Sequence, residues 1–91
     1  MIQEKLKNSI KEALRSLSIT AGEVHLEHPA DLNFGDYSSN VALAQAKELK
    51  MKPRDLAEKI MSEIGAQKIK EIEKVEVAGA GFINFFLSKE F

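Results

Sequence analysis

The chain contains no cysteine. Disulfides and thiolate chemistry are therefore excluded, and a reducing compartment fits. It has no long apolar run either. The strongest, Phe82 to Leu87, is interrupted by Asn84 and is far too short to span a bilayer. Where a signal peptide would need an apolar stretch, residues 1–17 carry Glu4, Lys5, Lys7, Lys11, Glu12 and Arg15. The expectation is a cytoplasmic protein without a membrane partner. No Pro-rich or Gly/Ser-rich segment is present, so disorder is not expected. A basic excess is missing too: 13 Lys and Arg stand against 14 Asp and Glu, for a net charge of −1. Proteins that hold nucleic acid by themselves draw most of their affinity from phosphate neutralisation, which this balance does not supply. No DNA partner is expected, and any RNA contact would be an accessory to a larger basic surface.

What is present is an ordinary globular composition, 44% hydrophobic and 30% charged over 91 residues. That length makes one domain, residues 1–91, with a single two-layer core. From Ile2 to Leu17 the apolar positions Ile2, Leu6, Ile10 and Leu14, widened by Ala13 and Leu17, mark one face of a helix that stops near Ser18. Glu23 to Glu27 alternates polar and apolar, which predicts a short half-buried strand closed by Pro29. A second short strand is expected near Leu32 to Phe34. Asp36, Ser38 and Ser39 can each cap the helix that follows, which extends to about Leu49 and is rich in small residues. Pro53 suits the first position of another helix, whose buried stripe is Leu56, Ala57, Ile60 and Ile64 up to Gly65.

After a polar linker the chain reads Val75-Glu-Val-Ala-Gly-Ala-Gly-Phe-Ile-Asn-Phe-Phe-Leu87, two strand-forming runs around a Gly-Ala-Gly break. This is a hairpin signal. The fold expected is α+β: a two-layer α/β sandwich in the order α-β-β-α-α-β-β, with helices on one face of a small, mostly antiparallel four-stranded sheet. Alternation puts Val75, Val77, Ile83, Phe85 and Leu87 toward the helices. Phe82, Asn84 and Phe86 then share the other face. A polar amide between two phenylalanines suits neither a core nor open water. It does suit an unstacked nucleotide, whose base stacks on the ring while the amide donates to and accepts from its edge.

Other chemistry is weaker. His25 and His28 fall short of the three or four ligands that a metal site needs. Gly79-x-Gly81 opens like a dinucleotide fingerprint, but Asn84 takes the third glycine's place and a strand follows where a helix N-terminus is required. Lys50-Met-Lys-Pro53 looks superficially like an ATP-binding lysine loop, a reading that the helix start at Pro53 displaces. Lys47, Lys50, Lys52 and Arg54 form a basic cluster that is a candidate phosphate contact, tempered by Glu48 and Asp55. No catalytic residue and no metal ligand is assigned.

Phe34-Gly-Asp-Tyr-Ser-Ser-Asn-Val-Ala-Leu43 and Val77-Ala-Gly-Ala-Gly-Phe-Ile-Asn-Phe85, with Pro53-x-x-Leu56-Ala57 between them, resemble the N-terminal additional domain of arginyl-tRNA synthetases over essentially the whole chain. The resemblance implies a fragment or isolated domain of a class I arginine–tRNA ligase, with the catalytic and anticodon-binding domains absent from residues 1–91 and the catalytic domain expected to follow a point like Phe91. It implies a non-catalytic domain that contacts the tRNA D-loop at the elbow, with tRNA and the catalytic domain of the same chain as partners. No cofactor is implied for the domain itself; ATP and magnesium are implied for the full enzyme. Matched motif to motif, the RNA-binding residues would be Gly79 at the turn, Phe82 packing on a base and Asn84 reading its edge. Family members commonly carry proline where this chain has Ala80, which implies a looser turn. Two alternatives stand beside this reading. One is a protein-interaction module docking its open sheet face on a neighbouring domain; the other is a generic RRM-like single-stranded RNA binder.

Overall fold

The structure, a computed structural model, describes residues 2–20 and 22–88. Three helices form where the apolar spacing predicts them: α1 (Ile2–Ser16), α2 (Val41–Leu49) and α3 (Pro53–Ala66). Helix α1 ends in a left-handed residue, Ser18 at φ 61°, so that the Ile19 amide can donate back to the Leu14 carbonyl at 2.8 Å. Lys50, at φ 55°, ends α2 in the same way, and Pro53 opens α3 at a position where a missing amide costs nothing. Helix α3 is the central one, touching α1, α2 and the sheet. A reciprocal clamp locks α1 to the end of α3. Ser9 Oγ donates to Gln67 Oε1 at 2.8 Å, and Gln67 Nε2 donates to the Ser9 carbonyl at 3.0 Å.

The sheet departs from expectation. It has three antiparallel strands among the described residues, β1 (Tyr37–Ser39), β2 (Ile72–Ala78) and β3 (Phe82–Leu87), in the order β1-β3-β2. The element order is therefore α-β-α-α-β-β, not α-β-β-α-α-β-β, and the four-stranded sheet is corrected to three. Residues 23–27 contribute only one bridge, Glu27 with Ser38, through two backbone hydrogen bonds of 2.8 and 2.9 Å. The reason lies at the flanking rungs of that ladder. On one side Pro29 has no amide to donate. On the other, Asn40 has left the strand as the N-cap of α2, with φ −101° and ψ 19°. Pairing cannot propagate in either direction.

The second missing strand, Leu32–Phe34, is a short 3-10 turn. The strand forms instead at Tyr37–Ser39, where helix caps were expected, because Tyr37 and Ser39 turn inward at 8% and 2% exposure and align with Phe85 and Ile83. Only the Ser39 hydroxyl retains a cap-like role, accepting from the Val41 amide at 3.2 Å. Asp36 is diverted altogether: its carboxylate accepts the Leu87 amide at 2.8 Å, and its own amide donates to the Phe85 carbonyl at 2.8 Å.

The hairpin register pairs Val75 with Phe85 and Val77 with Ile83. Ile83 and Phe85 are wholly buried against Leu6, Ile10, Leu56, Ile60 and Ile64, with Val75, Val77 and Leu87 packed at the margin. The opposite face carries Phe82, Asn84 and Phe86. This face was expected to stand uncovered, but the segment from Glu27 to Asp36 crosses part of it.

A two-walled groove on the outer sheet face

The glycine turn fixes where the groove begins. Gly79 and Gly81 sit at φ 57° and 141°, conformations that side-chain-bearing residues rarely adopt. Gly81 also lies against the start of α3, where an added Cβ would come within 3.0 Å of the Pro53 backbone. Arg54 Nη1 donates to the Gly79 carbonyl at 2.8 Å. The turn is thus pinned from α3, a restraint that offsets the looseness expected from Ala80.

Beyond the turn, Ala78, Gly79, Phe82 and Asn84 from the hairpin meet Ser38 of β1 and Glu27, Pro29 and Phe34 of the crossing segment around a groove of about 320 Å³. The lining residues include the acidic Glu27 and neither lysine nor arginine. This donor set does not fit a phosphate group, a triphosphate or magnesium. It fits an uncharged, flat and largely apolar group.

Phe82, 42% exposed, presents its ring to the groove, while Asn84 on the same side of β3 is only 3% exposed. The Asn84 carboxamide makes no hydrogen bond with any described residue. Yet among the described residues the one side-chain polar atom wholly enclosed without a partner is Glu71 Oε1. The Asn84 amide therefore reaches the groove surface. Covering this amide with a ligand that offered it no partner would cost about 1–3 kcal/mol, a cost that a hydrogen-bonding ligand edge avoids. The third predicted residue, Gly79, lies at the groove's rim. All three predicted residues thus border one site.

Other candidates separate from it. Phe86, the third residue of the outer face, is half-buried under Gly35 and has the Lys74 ammonium 4.4 Å from its ring centre. The His28 ring stands 4.5 Å from that of Tyr37, with Nδ1 3.2 Å from the Asp36 carbonyl oxygen. Among the described residues no group of three or more His, Asp or Glu is placed to hold a metal. The basic cluster sits at the α2–α3 junction, beside the turn rather than in the groove, and Arg54 is engaged by Gly79 and by Glu58 at 3.8 Å. Sequence reasoning missed Phe34 and Pro29 as groove residues. The available signal was Phe34 itself, a large ring directly before Gly35-Asp36.

Residues 4–87 match the family model described as "Arginyl tRNA synthetase N terminal domain". The chain is 44% identical over 91 residues to an arginine–tRNA ligase of Pelodictyon phaeoclathratiforme, covering 99% of this chain and 16% of that protein. It is 37% identical over 98 residues to the arginine–tRNA ligase of Bacillus subtilis, covering 99% of this chain and 17% of the relative. Among solved structures, arginyl-tRNA synthetase from Plasmodium falciparum superposes with a TM-score of 0.80 at 25% identity, over 98% of this chain and 16% of that one. The Thermus thermophilus enzyme superposes at 0.84 with 24% identity, over 99% and 14%, a likeness of fold. The chain thus spans about one sixth of the length of the relatives it matches.

Proposed function

The chain belongs to the family of arginyl-tRNA synthetase N-terminal domains, and on that premise we propose that it is a non-catalytic docking domain for tRNA. It receives a nucleotide of the D-loop at the tRNA elbow, within a cytoplasmic enzyme that joins arginine to tRNA using ATP and magnesium. ATP, magnesium and arginine are handled by other parts of that enzyme. One observation carries the reading: a nearly buried carboxamide, without a partner among the described residues, opens beside an exposed ring into a groove of about 320 Å³. A base would stack on Phe82 and satisfy Asn84 along its edge. An apolar protein partner would leave the amide unsatisfied, and the helix-first order with a three-stranded sheet is not that of an RRM.

Stacking one base is worth about 1–3 kcal/mol, enough to influence tRNA choice and too little to hold tRNA unaided. Phe82→Ala and Asn84→Ala in the full-length synthetase should each raise KM for tRNA, by about 5- to 150-fold for the ring. Arginine activation with ATP should not change. A loss of activation in parallel with tRNA affinity would rule out a docking role.

A further inference from the structure

Among the described residues the large apolar side chains left exposed are Phe34 at 51%, Phe82 at 42% and Leu49 at 38%. Leu49 ends α2, away from the groove, whereas both phenylalanines line it. They come from separate segments, Phe34 from the 3-10 turn and Phe82 from β3. Among the described residues the ring pair in contact is His28 with Tyr37, so Phe34 and Phe82 do not stack on each other. Both line one groove, at about 320 Å³ near the lower end of pockets that take a small molecule.

Phe34 is held there by a dense set of backbone restraints. Its amide donates to the Asp31 carbonyl at 3.0 Å, and the Asn33 amide donates to Asp31 Oδ1 at 2.9 Å. On its other side Gly35 lies so close to β3 that an added Cβ would sit 2.6 Å from the Phe85 carbonyl oxygen. Asp36 then binds the Phe85 carbonyl and the Leu87 amide. The Phe34-Gly35-Asp36 motif thus fastens one exposed ring to the strand that bears Phe82 and Asn84. A backbone fixed in advance leaves only the ring's own rotation to be lost when it binds.

We propose that Phe34 is a second binding residue of the nucleotide site, and that the base lies between the Phe34 and Phe82 rings with its edge on Asn84. This rests on the docking role proposed above. In this arrangement the first sequence motif places one wall of the site, and the second motif places the other wall and the floor.

The test is made in the full-length synthetase with Phe34→Ala, Phe34→Leu, Phe34→Tyr and Phe82→Ala. Loss of one stacking ring should raise KM for tRNA about tenfold in both alanine variants, with kcat and arginine-dependent pyrophosphate exchange unchanged. Phe34→Tyr, which keeps the ring, should restore KM, and Phe34→Leu should not. The proposal is overturned, with the docking role intact, if Phe82→Ala raises KM while Phe34→Ala leaves it alone. It is likewise overturned if Phe34→Leu performs as well as phenylalanine, since the residue would then be an apolar cover. Pyrophosphate exchange falling with Phe34→Ala would make the residue structural and also overturn it. If neither alanine variant moves KM, both the second wall and the docking role fail.

Discussion

Adding one methyl group at Gly35 should damage this domain more than most surface substitutions. The residue adopts φ 92°, and a Cβ built there falls 2.6 Å from the Phe85 carbonyl oxygen and 3.2 Å from its carbon, both inside the 3.4 Å where ordinary contact begins. Neither neighbour is a flexible side-chain tip; both belong to the backbone of the central strand. The left-handed backbone alone costs an alanine about 1–2 kcal/mol. Pushing β3 away also strains the 2.8 Å hydrogen bond from the Asp36 amide to that same carbonyl, worth about 1 kcal/mol. Together these put Gly35→Ala at about 3 kcal/mol of destabilisation. In a domain of this size that lowers the melting temperature by roughly 15 °C. Thermal unfolding followed by circular dichroism measures it directly. A Gly35→Ala protein melting within about 3 °C of the parent, a shift below 1 kcal/mol, would refute the close seating of this turn on β3, and with it the placement of Phe34.

Gly65 predicts the opposite sign. It lies inside α3 with nothing within 4 Å of an added Cβ, so Gly65→Ala should stabilise by about 0.5–1 kcal/mol and raise the melting temperature by a few degrees. A pH dependence follows from Glu71, 11% exposed, whose carboxylate accepts a hydrogen bond from Lys5 Nζ; that bond first, then a backbone hydrogen bond, hold its pKa below the ordinary 4.5. A depressed folded-state value means stability that is present above the ordinary value and lost as pH falls through the lowered one. Chemical denaturation should find Lys5→Met less stable than the parent at neutral pH, with the gap closing on acidification below 4.5. A gap independent of pH would contradict the pairing.

The helices were legible because their apolar residues repeat at helical spacing, and the hairpin because its alternation is long enough to fix both faces. Phe82 and Asn84 could be paired on one side of β3 from that alternation alone. What stayed hidden depends on partners far along the chain. The Glu23–Glu27 pattern has strand character, but its pairing ends where Pro29 and Asn40 face the bridge, which no local window reveals. Asp36, Ser38 and Ser39 have the chemistry of helix caps, and β3 claims Asp36 first. Phe34 reads as part of a strand until Gly35 is seen lying on the Phe85 carbonyl, and only then does it join Phe82 in lining the groove.

The side-chain amide of Asn84 reports most directly on the central claim. In full-length synthetase labelled with 15N-asparagine, adding tRNA for arginine should shift the Asn84 carboxamide resonances, and Phe82→Ala should weaken that response. Asn84 signals that stay in place while the same sample binds and aminoacylates the tRNA would contradict the account.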